Sequence, residues 1–256
     1  MRLLTLNLHC FAEDNIEDNQ ERIVEFIIEN KIDVCLFQEV AQHFENEVVI
    51  NRIKKDNYVL TLQEKLVSKG ETYYIYYDYS KRGYGVYDEG LAILSRTPFT
   101  SSSSYHVSKK VDYNDWHTRM NVSCETLIQN QLYSFTSVHL GWTEGEEVFE
   151  DQLARTMNQL NNDKINIVAG DFNVFEGSNE YEYITSLGLI DLYFSGDIKY
   201  FHDITHKAYI DVKKEAKRID YFFSNKQFVI IDRRIVFQDN PVSDHFGVYI
   251  ELEVKK

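Results

Sequence analysis

The sequence predicts an α/β fold in which two sheets face each other and helices lie outside. Three observations support this prediction. Apolar runs of strand length and a stretch of helical periodicity follow each other in the same order twice along the chain. Short strand-like runs, separated by turn residues, lie between and after these two units. Of the 256 residues, 43% are hydrophobic and only two are proline, so we expect a single domain over residues 1–256 without an internal linker.

The first unit lies at the N-terminus. Leu3–Leu8 is a short apolar run, and Ile23, Phe26 and Ile27 follow it at helical spacing before a second apolar run at Val34–Phe37. This order predicts a strand, a helix and a second strand. Because a crossover that contains a helix makes the flanking strands parallel, both strands should end at the same edge of their sheet.

The second unit repeats this pattern in the middle of the chain. Tyr133–Leu140 is strand-like, and Phe149, Leu153 and Met157 lie on one face of a predicted helix. Ile165–Ala169 is the strand that follows. The sequence therefore predicts two βαβ units.

Polar residues lie at the C-terminal ends of the predicted strands. Asn7 and Glu39 are 32 positions apart in the first unit, and His139 and Asp171 are 32 positions apart in the second, which suggests two similar halves. Ligands of open α/β sheets bind beyond the carboxyl ends of the strands. These four residues are therefore candidates for a functional site.

The remaining elements are predicted to widen both sheets by antiparallel pairing. A further helix is predicted at Asn179–Ser186. The other predicted strands are Thr72–Tyr79, Leu91–Leu94, Arg119–Leu127, Ile219–Phe223, Arg234–Phe237 and Phe246–Val254.

An oxygen-rich set of side chains occupies the predicted strand ends and the adjacent loops. Carboxylate and amide oxygens favour Mg²⁺, with Mn²⁺ as the second choice, whereas zinc prefers clustered His and Cys, which this sequence lacks. No P-loop, dinucleotide-binding or serine-hydrolase motif is present. The set comprises Asn7, Glu39, His139, Asp171, Asn173, Asp220, Asp244 and His245.

Six short motifs occur in an order that resembles the endonuclease/exonuclease/phosphatase superfamily. The resemblance spans residues 5–248. It implies a four-layer α/β/β/α sandwich, with two mixed sheets face to face and helices outside, and metal-dependent hydrolysis of a phosphate ester. The motifs are TLNLH (5–9), FQEV (37–40), SVHL (137–140), GDFN (170–173), RIDYFF (218–223) and SDHFGV (243–248).

The resemblance implies a metal site. The glutamate that matches Glu39 binds the catalytic Mg²⁺, the asparagine that matches Asn7 lies close to metal and phosphate, and Asp244 lies by the metal. His9 departs from the pattern, because an acid often occupies this position in the nuclease branch. This departure puts a second metal position in doubt and argues against a repair nuclease.

The resemblance also implies catalytic roles. Asp171 would orient or deprotonate the attacking water, and Asn173 would hold a phosphate oxygen, with both side chains on one face of an extended segment. His139 and His245 would donate to developing oxyanion charge. Asp220 would orient the ring of His245. Asp171 and His245 both remain candidates for the general base.

Charge and cysteine content restrict the function classes. The formal net charge of −14 repels phosphate backbones and disfavours a stable nucleic-acid partner. The N-terminal segment resembles neither a signal peptide nor a membrane span. We therefore expect no membrane partner. The three cysteines have no CxxC spacing, so we expect reduced thiols and a cytoplasmic location. The oligomeric state is open.

Three functional hypotheses follow. The segments HLGWTEGEE (139–147) and PVSDHFGV (241–248) resemble the bacterial maltose-phosphate phosphatase branch. This resemblance favours a phosphomonoesterase acting on a small phosphorylated metabolite such as a sugar phosphate. The alternatives are a phosphodiesterase, either a nuclease or a sphingomyelinase-like enzyme, and a non-catalytic binding module of the same fold.

Arg119 and Arg218 have either a phosphate-binding or a structural role, and Trp142 either meets substrate or anchors the next helix.

Overall fold

The structure is a computed structural model, and it describes residues 1–142, 147–194, 203–209 and 218–254. Within the described residues, two α-helices lie in each half of the chain, and strands separate them. In chain order, they are β1 (Arg2–Asn7), α1 (Ile16–Glu29), β2 (Val34–His43), β3 (Val48–Ile50), β4 (Ile53–Lys54), α2 (Tyr58–Ser68), β5 (Tyr74–Gly83), β6 (Tyr87–Ser95), β7 (Phe99–His106), β8 (Met120–Ile128), β9 (Gln131–His139), α3 (Phe149–Met157), β10 (Ile165–Asp171), α4 (Asn179–Ser186), β11 (Ile190–Asp191), β12 (Asp220–Ser224), β13 (Phe228–Val236) and β14 (Gly247–Val254).

Two parallel strand pairs lie at the centre of the fold, as the two βαβ units predicted. β1 pairs with β2, and β9 pairs with β10, in both cases in parallel. Each pair belongs to a mixed six-stranded sheet whose other strands pair antiparallel. The order is β13-β14-β1-β2-β6-β5 in the first sheet and β11-β12-β10-β9-β8-β7 in the second.

Three apolar clusters show how the layers are stacked. One cluster joins α1 and α2 to the outer face of the first sheet, through residues such as Ile27 and Leu62. A second fills the space between the sheets and includes Leu36 and Phe135. The third joins α3 and α4 to the outer face of the second sheet and includes Leu153. The predicted four-layer α/β/β/α sandwich is confirmed.

Some elements escaped the sequence prediction. α2 was not predicted, although its buried residues lie on one helix face and the side chain of Asn57 caps its N-terminus by accepting from the backbone N–H groups of Val59 and Leu60. β7 was also missed, because the serine-rich stretch Ser101–Ser104 is largely exposed at a sheet edge. The turn at Tyr84–Gly85 joins β5 to β6 as a hairpin. No helix within the described ranges is long and apolar enough to cross a membrane.

Candidate active site

The predicted site residues converge where the parallel strand pairs of the two sheets end. Asn7 is the last residue of β1 and Asp171 the last of β10. The side-chain amide of Asn7 donates to Oε1 of Glu39 at 3.0 Å and to Oδ2 of Asp171 at 3.2 Å. One amide group therefore holds carboxylates from both sheets.

A bulge in β2 aims Glu39 at the site. The register between β2 and β6 shifts between Phe37 and Val40, and Glu39 adopts a left-handed backbone conformation with φ 47°. Such a conformation costs a non-glycine residue about 1–3 kcal/mol, and the surrounding structure must maintain it. Bulges next to active sites redirect a side chain that would otherwise follow the pleat.

Gln38 joins the two sheets directly behind the site. Its side-chain amide donates to Oγ of Ser137 at 3.0 Å, and that hydroxyl donates to the carbonyl oxygen of Phe37 at 3.2 Å. Gly170 makes room for this contact, since a Cβ there would lie 2.1 Å from the carbonyl of Val138 and 2.9 Å from the Gln38 amide nitrogen. This role was not predicted from the sequence, although a glutamine after an apolar run in FQEV was a signal.

Two histidines flank the carboxylate of Asp171. His139 Nε2 lies 3.7 Å from Asp171 Oδ2, and His245 Nε2 lies 3.6 Å from the same oxygen. The other ring nitrogen of His245, Nδ1, lies 3.0 Å from Oδ2 of Asp220. The structure thus brings the predicted orienting pair together.

Burial and charge perturb the carboxylates of the site. Burial raises the pKa of Glu39, and the negative charge of Glu89 raises it further. Burial also raises the pKa of Asp171, with a further contribution from the charge of Asp220, whereas the charge of His245 lowers it. Carboxylates with raised pKa values gain from a nearby cation, which favours their ionised forms.

The two histidines have opposite protonation preferences. Burial lowers the pKa of His139 far below its usual value, and the charges of Arg119 and Lys81 add to this effect. Burial also lowers the pKa of His245, but Asp220 and Asp171 outweigh burial and raise this pKa to about 10. At neutral pH the site therefore combines a neutral imidazole with an imidazolium.

The donor set fits a divalent cation. Asp171, Asp220 and His245 offer ligand atoms that all lie within 4.8 Å of one another, and Glu39 is linked to Asp171 by the shared amide of Asn7. Oδ1 of Asp220 is buried without a hydrogen-bond partner among the described residues. Oxygen donors of this kind are the ligands that Mg²⁺ and Mn²⁺ prefer. A cation bound here would compensate the negative charge that burial makes costly.

Asp244 belongs to two further clusters of possible ligand atoms, one with His206 and His245 and one with His9 and Glu13. Its Oδ1 is 3.5 Å from Nδ1 of His9 and its Oδ2 is 3.4 Å from Nε2 of His206. Burial raises the pKa of Asp244, but the hydrogen bond from His206 and nearby positive charge lower it to about 2. The backbone N–H of His9 donates to Oδ1 of Asn7 and so links this group to the site. Neither His206 nor Glu13 was predicted from the sequence as a site residue. Oε1 of Glu13 lies 2.9 Å from Nδ1 of His9.

Asn173 differs from its predicted geometry. The prediction placed it two residues beyond Asp171 in an extended segment, but Asn173 has φ 54° and its backbone N–H donates to Oδ1 of Asp171 at 2.9 Å. The chain turns here because the Asp171 side chain accepts from the backbone two residues on. The Asn173 amide donates to the carbonyl of Leu140, so the residue stays at the same edge of the second sheet as Asp171.

The two arginines left open by the sequence have different environments. Arg218 is fully buried, with Nη2 2.6 Å from Asp191 and Nε 3.0 Å from Glu176, and these contacts are structural. Arg119 donates to the backbone carbonyls of Trp116 and Thr118, while its buried Nε has no hydrogen-bond partner among the described residues.

Comparisons with known proteins agree with this architecture. An endonuclease/exonuclease/phosphatase family protein from Leptotrichia buccalis has 30% identity and a TM-score of 0.91, with 99% of each chain covered. The mannosyl-6-phosphatase of Bacteroides thetaiotaomicron has 18% identity and a TM-score of 0.70, with 99% of each chain covered. D. rerio TDP2 in complex with a single-strand DNA product has 16% identity and a TM-score of 0.72, again with 99% of each chain covered.

Sequence comparison assigns the family. None of the curated proteins compared with the chain matches it significantly. Residues 4–245 match the family model described as Endonuclease/Exonuclease/phosphatase family, which includes every predicted site residue from Asn7 to His245. The chain belongs to the endonuclease/exonuclease/phosphatase family of metal-dependent phosphoric ester hydrolases.

Proposed function

We propose that the protein is a Mg²⁺-dependent phosphomonoesterase that hydrolyses a small phosphorylated metabolite such as a sugar phosphate. The observation that carries this proposal is the shared amide of Asn7, which holds Glu39 and Asp171 together between the two sheets. A buried carboxylate pair flanked by one charged and one neutral histidine suits metal-assisted attack of water on phosphorus.

The metal site would be formed by Glu39, with Asn7 and Asp244 nearby. When bound, Mg²⁺ polarises the phosphoryl oxygens and stabilises the leaving group. Asp171 orients the attacking water, and its raised pKa makes it a better proton acceptor than an ordinary aspartate. His245 is the second candidate for this proton, although Asp220 favours its charged form.

The remaining side chains stabilise the charge that develops on the phosphate. The His245 imidazolium donates through Nε2, while Asp220 holds Nδ1 and fixes the ring. His139, neutral because of its burial, donates a hydrogen bond from the other side of Asp171. Asn173 places its amide at the same edge for a phosphate oxygen. Preorganised donors of this kind contribute about 10²–10³ each in rate.

Charge supports a small substrate. The formal net charge of −14 opposes the counterion release that drives binding to a nucleic-acid backbone. The mannosyl-6-phosphatase of the same fold is a structural neighbour of this chain. We therefore infer no stable nucleic-acid or membrane partner. Cys10, Cys35 and Cys124 are free thiols, the state that the reducing cytosol maintains, which supports a cytoplasmic location for the proposed enzyme.

A phosphodiesterase is the alternative. The neighbour that carries a single-strand DNA product shows that this fold accommodates a nucleic-acid strand in another protein. A local groove could accept a diester despite the negative average charge.

The two functions are distinguished by measuring hydrolysis with a substrate panel. Phosphate release from sugar phosphates with Mg²⁺ is compared with cleavage of bis-p-nitrophenyl phosphate, plasmid DNA and sphingomyelin. We expect release from a sugar phosphate that stops with EDTA and falls by about 10²–10⁴ in Asp171→Ala. Asp163→Ala is the matched control, because Asp163 is exposed just before the opposite end of β10. Cleavage of a diester with the monoesters untouched would overturn the proposal.

A further inference from the structure

A cavity of about 350 Å³ opens beside the catalytic edge and contains both tryptophans of the sequence. Trp116 is 59% and Trp142 is 42% exposed, although large aromatic side chains are usually buried. We call this cavity the indole pocket. Its lining includes Ser108, Lys109, Trp116, Arg119, Trp142 and Gln152.

The indole pocket is directly connected to the catalytic residues. Trp142 and Gly141 follow the catalytic strand β9 after Leu140, whose carbonyl accepts from the amide of Asn173 at 2.9 Å. Arg119 lines the pocket. Burial lowers the pKa of Arg119, whereas the charges of Glu89, Glu39 and Asp171 raise it, so the guanidinium lies within electrostatic reach of the site carboxylates.

The pocket walls are held in place by the polar groups around them. Nη1 of Arg119 donates to the carbonyl of Trp116 at 2.6 Å, and Nζ of Lys81 donates to the same oxygen at 3.3 Å. On the opposite side, Oε1 of Gln152 accepts the backbone N–H of Gly141 at 2.9 Å. The indole of Trp116 packs on the ring of His117, with centroids 3.7 Å apart, which supports one face of the indole.

Arg119 has unused hydrogen-bonding capacity at the boundary between pocket and site. It is only 5% exposed, and its Nε is buried without a hydrogen-bond partner among the described residues. A buried donor without a partner carries a desolvation cost, which a bound ligand or ordered water relieves. This geometry suits a ligand with an anionic end toward the site and an uncharged end between the indoles.

We propose that the indole pocket binds the sugar ring of the phosphorylated substrate, with Trp116 and Trp142 packing against its C–H faces and Gln152 contacting a hydroxyl. This inference rests on the proposed phosphomonoesterase function and specifies its substrate class. The volume lies at the lower end of ligand pockets, about 300–1,000 Å³, which favours a single sugar or a disaccharide over a polymer. The lining combines two indoles with charged and polar side chains such as Lys110, Glu147 and Gln152, which fits a ring that is apolar on its faces and polar at its rim.

Intrinsic fluorescence provides a direct test, because the only two tryptophans both line the pocket. Glucose, mannose and maltose, without phosphate, are titrated into the protein, and their phosphates are titrated into Asp171→Asn. We expect a saturable change in tryptophan emission with at least one sugar, and tighter binding of its phosphate. In Trp116→Ala and Trp142→Ala, kcat/KM for that sugar phosphate should fall on the order of tenfold relative to glycerol phosphate, which has no ring to pack.

Tyr74→Ala is the matched control. Tyr74 is also an exposed aromatic residue, but it lies at the start of β5 opposite Ser95, which pairs with Val34 at the opposite end of β2 from the site. In Tyr74→Ala, the ratio of kcat/KM for the sugar phosphate to kcat/KM for glycerol phosphate should equal that of the parent protein. Trp116→Phe and Trp142→Phe should recover most of the lost preference.

The outcomes separate the pocket from the reaction. Emission that stays constant with every sugar and sugar phosphate overturns the pocket proposal, even if the enzyme releases phosphate. A response to nucleoside monophosphates but not to sugars also overturns it, in favour of a base-binding pocket. Sugar binding without Mg²⁺-dependent phosphate release would support the pocket and refute the proposed reaction.

Discussion

Asp220 and His245 come from different sheets and meet through a hydrogen bond of 3.0 Å between Oδ2 of Asp220 and Nδ1 of His245. Asp220 begins β12 in the second sheet, whereas His245 lies two residues before β14 in the first. The backbone N–H groups of Ile219 and Asp220 donate to Oγ1 of Thr205, which fixes the backbone at the start of β12. The contact between Asp220 and His245 links elements of the two sheets. It also favours the protonated form of His245, a candidate catalytic residue.

The first prediction concerns Asp220→Asn in EDTA-treated protein. The pKa of His245 rises from an ordinary 6.5 to about 10, so the pair stabilises the fold fully below pH 6.5, and the stabilisation is lost as pH rises through 10. The substitution should lower the free energy of unfolding at neutral pH by about 3–5 kcal/mol. The difference in the free energy of unfolding between the variant and the parent protein should disappear above pH 10, as measured by urea unfolding at a series of pH values.

An exposed His–Asp pair provides the control for this experiment. His43 Nδ1 lies 2.6 Å from Oδ2 of Asp56, but the side chain of His43 is 51% exposed. Asp56→Asn should therefore change stability by less than about 1 kcal/mol. NMR titration of the His245 ring gives an independent check, and a pKa near 6.5 in the parent protein would contradict the prediction.

The second prediction is that Asp171→Asn gains stability while it loses activity. Burial raises the pKa of Asp171 above its ordinary 3.8, so its ionisation destabilises the metal-free fold as pH rises above that value. The neutral amide avoids this cost. At pH 8 with EDTA, the Tm of Asp171→Asn should equal or exceed that of the parent protein. A clearly lower Tm would mean that the contact with His245 outweighs the burial cost.

The third prediction concerns metal removal and addition. Mg²⁺ should raise the Tm of EDTA-treated protein, since a ligand at one hundred times its Kd stabilises the native state by about 2.7 kcal/mol. Glu39→Gln keeps the shape of the side chain and removes its charge, so this shift should disappear. Glu64→Gln, on the exposed face of α2, should retain it. An equal shift in all three proteins would place the metal elsewhere. Parallel titrations with Mn²⁺ and Ca²⁺ identify the preferred ion.

The sequence predicted the fold well because both βαβ units carry two regular signals, apolar runs of strand length and apolar residues at helical spacing. Apolar runs identified β1, β2, β9 and β10, and the parallel pairing placed Asn7, Glu39, His139 and Asp171 at one edge. That inference needed only the rule that parallel strands end together. β7 carried no such signal, because an edge strand of exposed serines has little hydrophobic alternation.

Within the site, local backbone geometry was beyond prediction. The bulge that turns Glu39 toward Asn7 and the turn that carries Asn173 both depend on left-handed conformations, which side-chain patterns do not reveal. Long-range partners were missed for a similar reason. Gln38 contacts Ser137 across 99 positions, so only the packing of the two sheets defines its role.

The last prediction concerns Arg218, whose role the motif RIDYFF left open between phosphate binding and a structural ion pair. Arg218 is fully buried, pairs with Asp191 and Glu176, and lies over the ring of Tyr221 at 4.8 Å from its centroid. Arg218→Met leaves the buried carboxylate of Asp191 and the half-buried carboxylate of Glu176 without their partner and should cost about 3–5 kcal/mol.

A compensating variant makes this prediction specific. Adding Asp191→Asn and Glu176→Gln to Arg218→Met removes the uncompensated charges and should recover most of the stability, because the cost came from isolated carboxylates. Arg234→Met is the control, since Arg234 pairs with Asp232 while 47% exposed and should change stability by less than about 1 kcal/mol. The folded fraction of each variant should keep the parent kcat. If Arg218→Met instead lost activity at unchanged Tm, the arginine would have to act on substrate, and the structural assignment would fail.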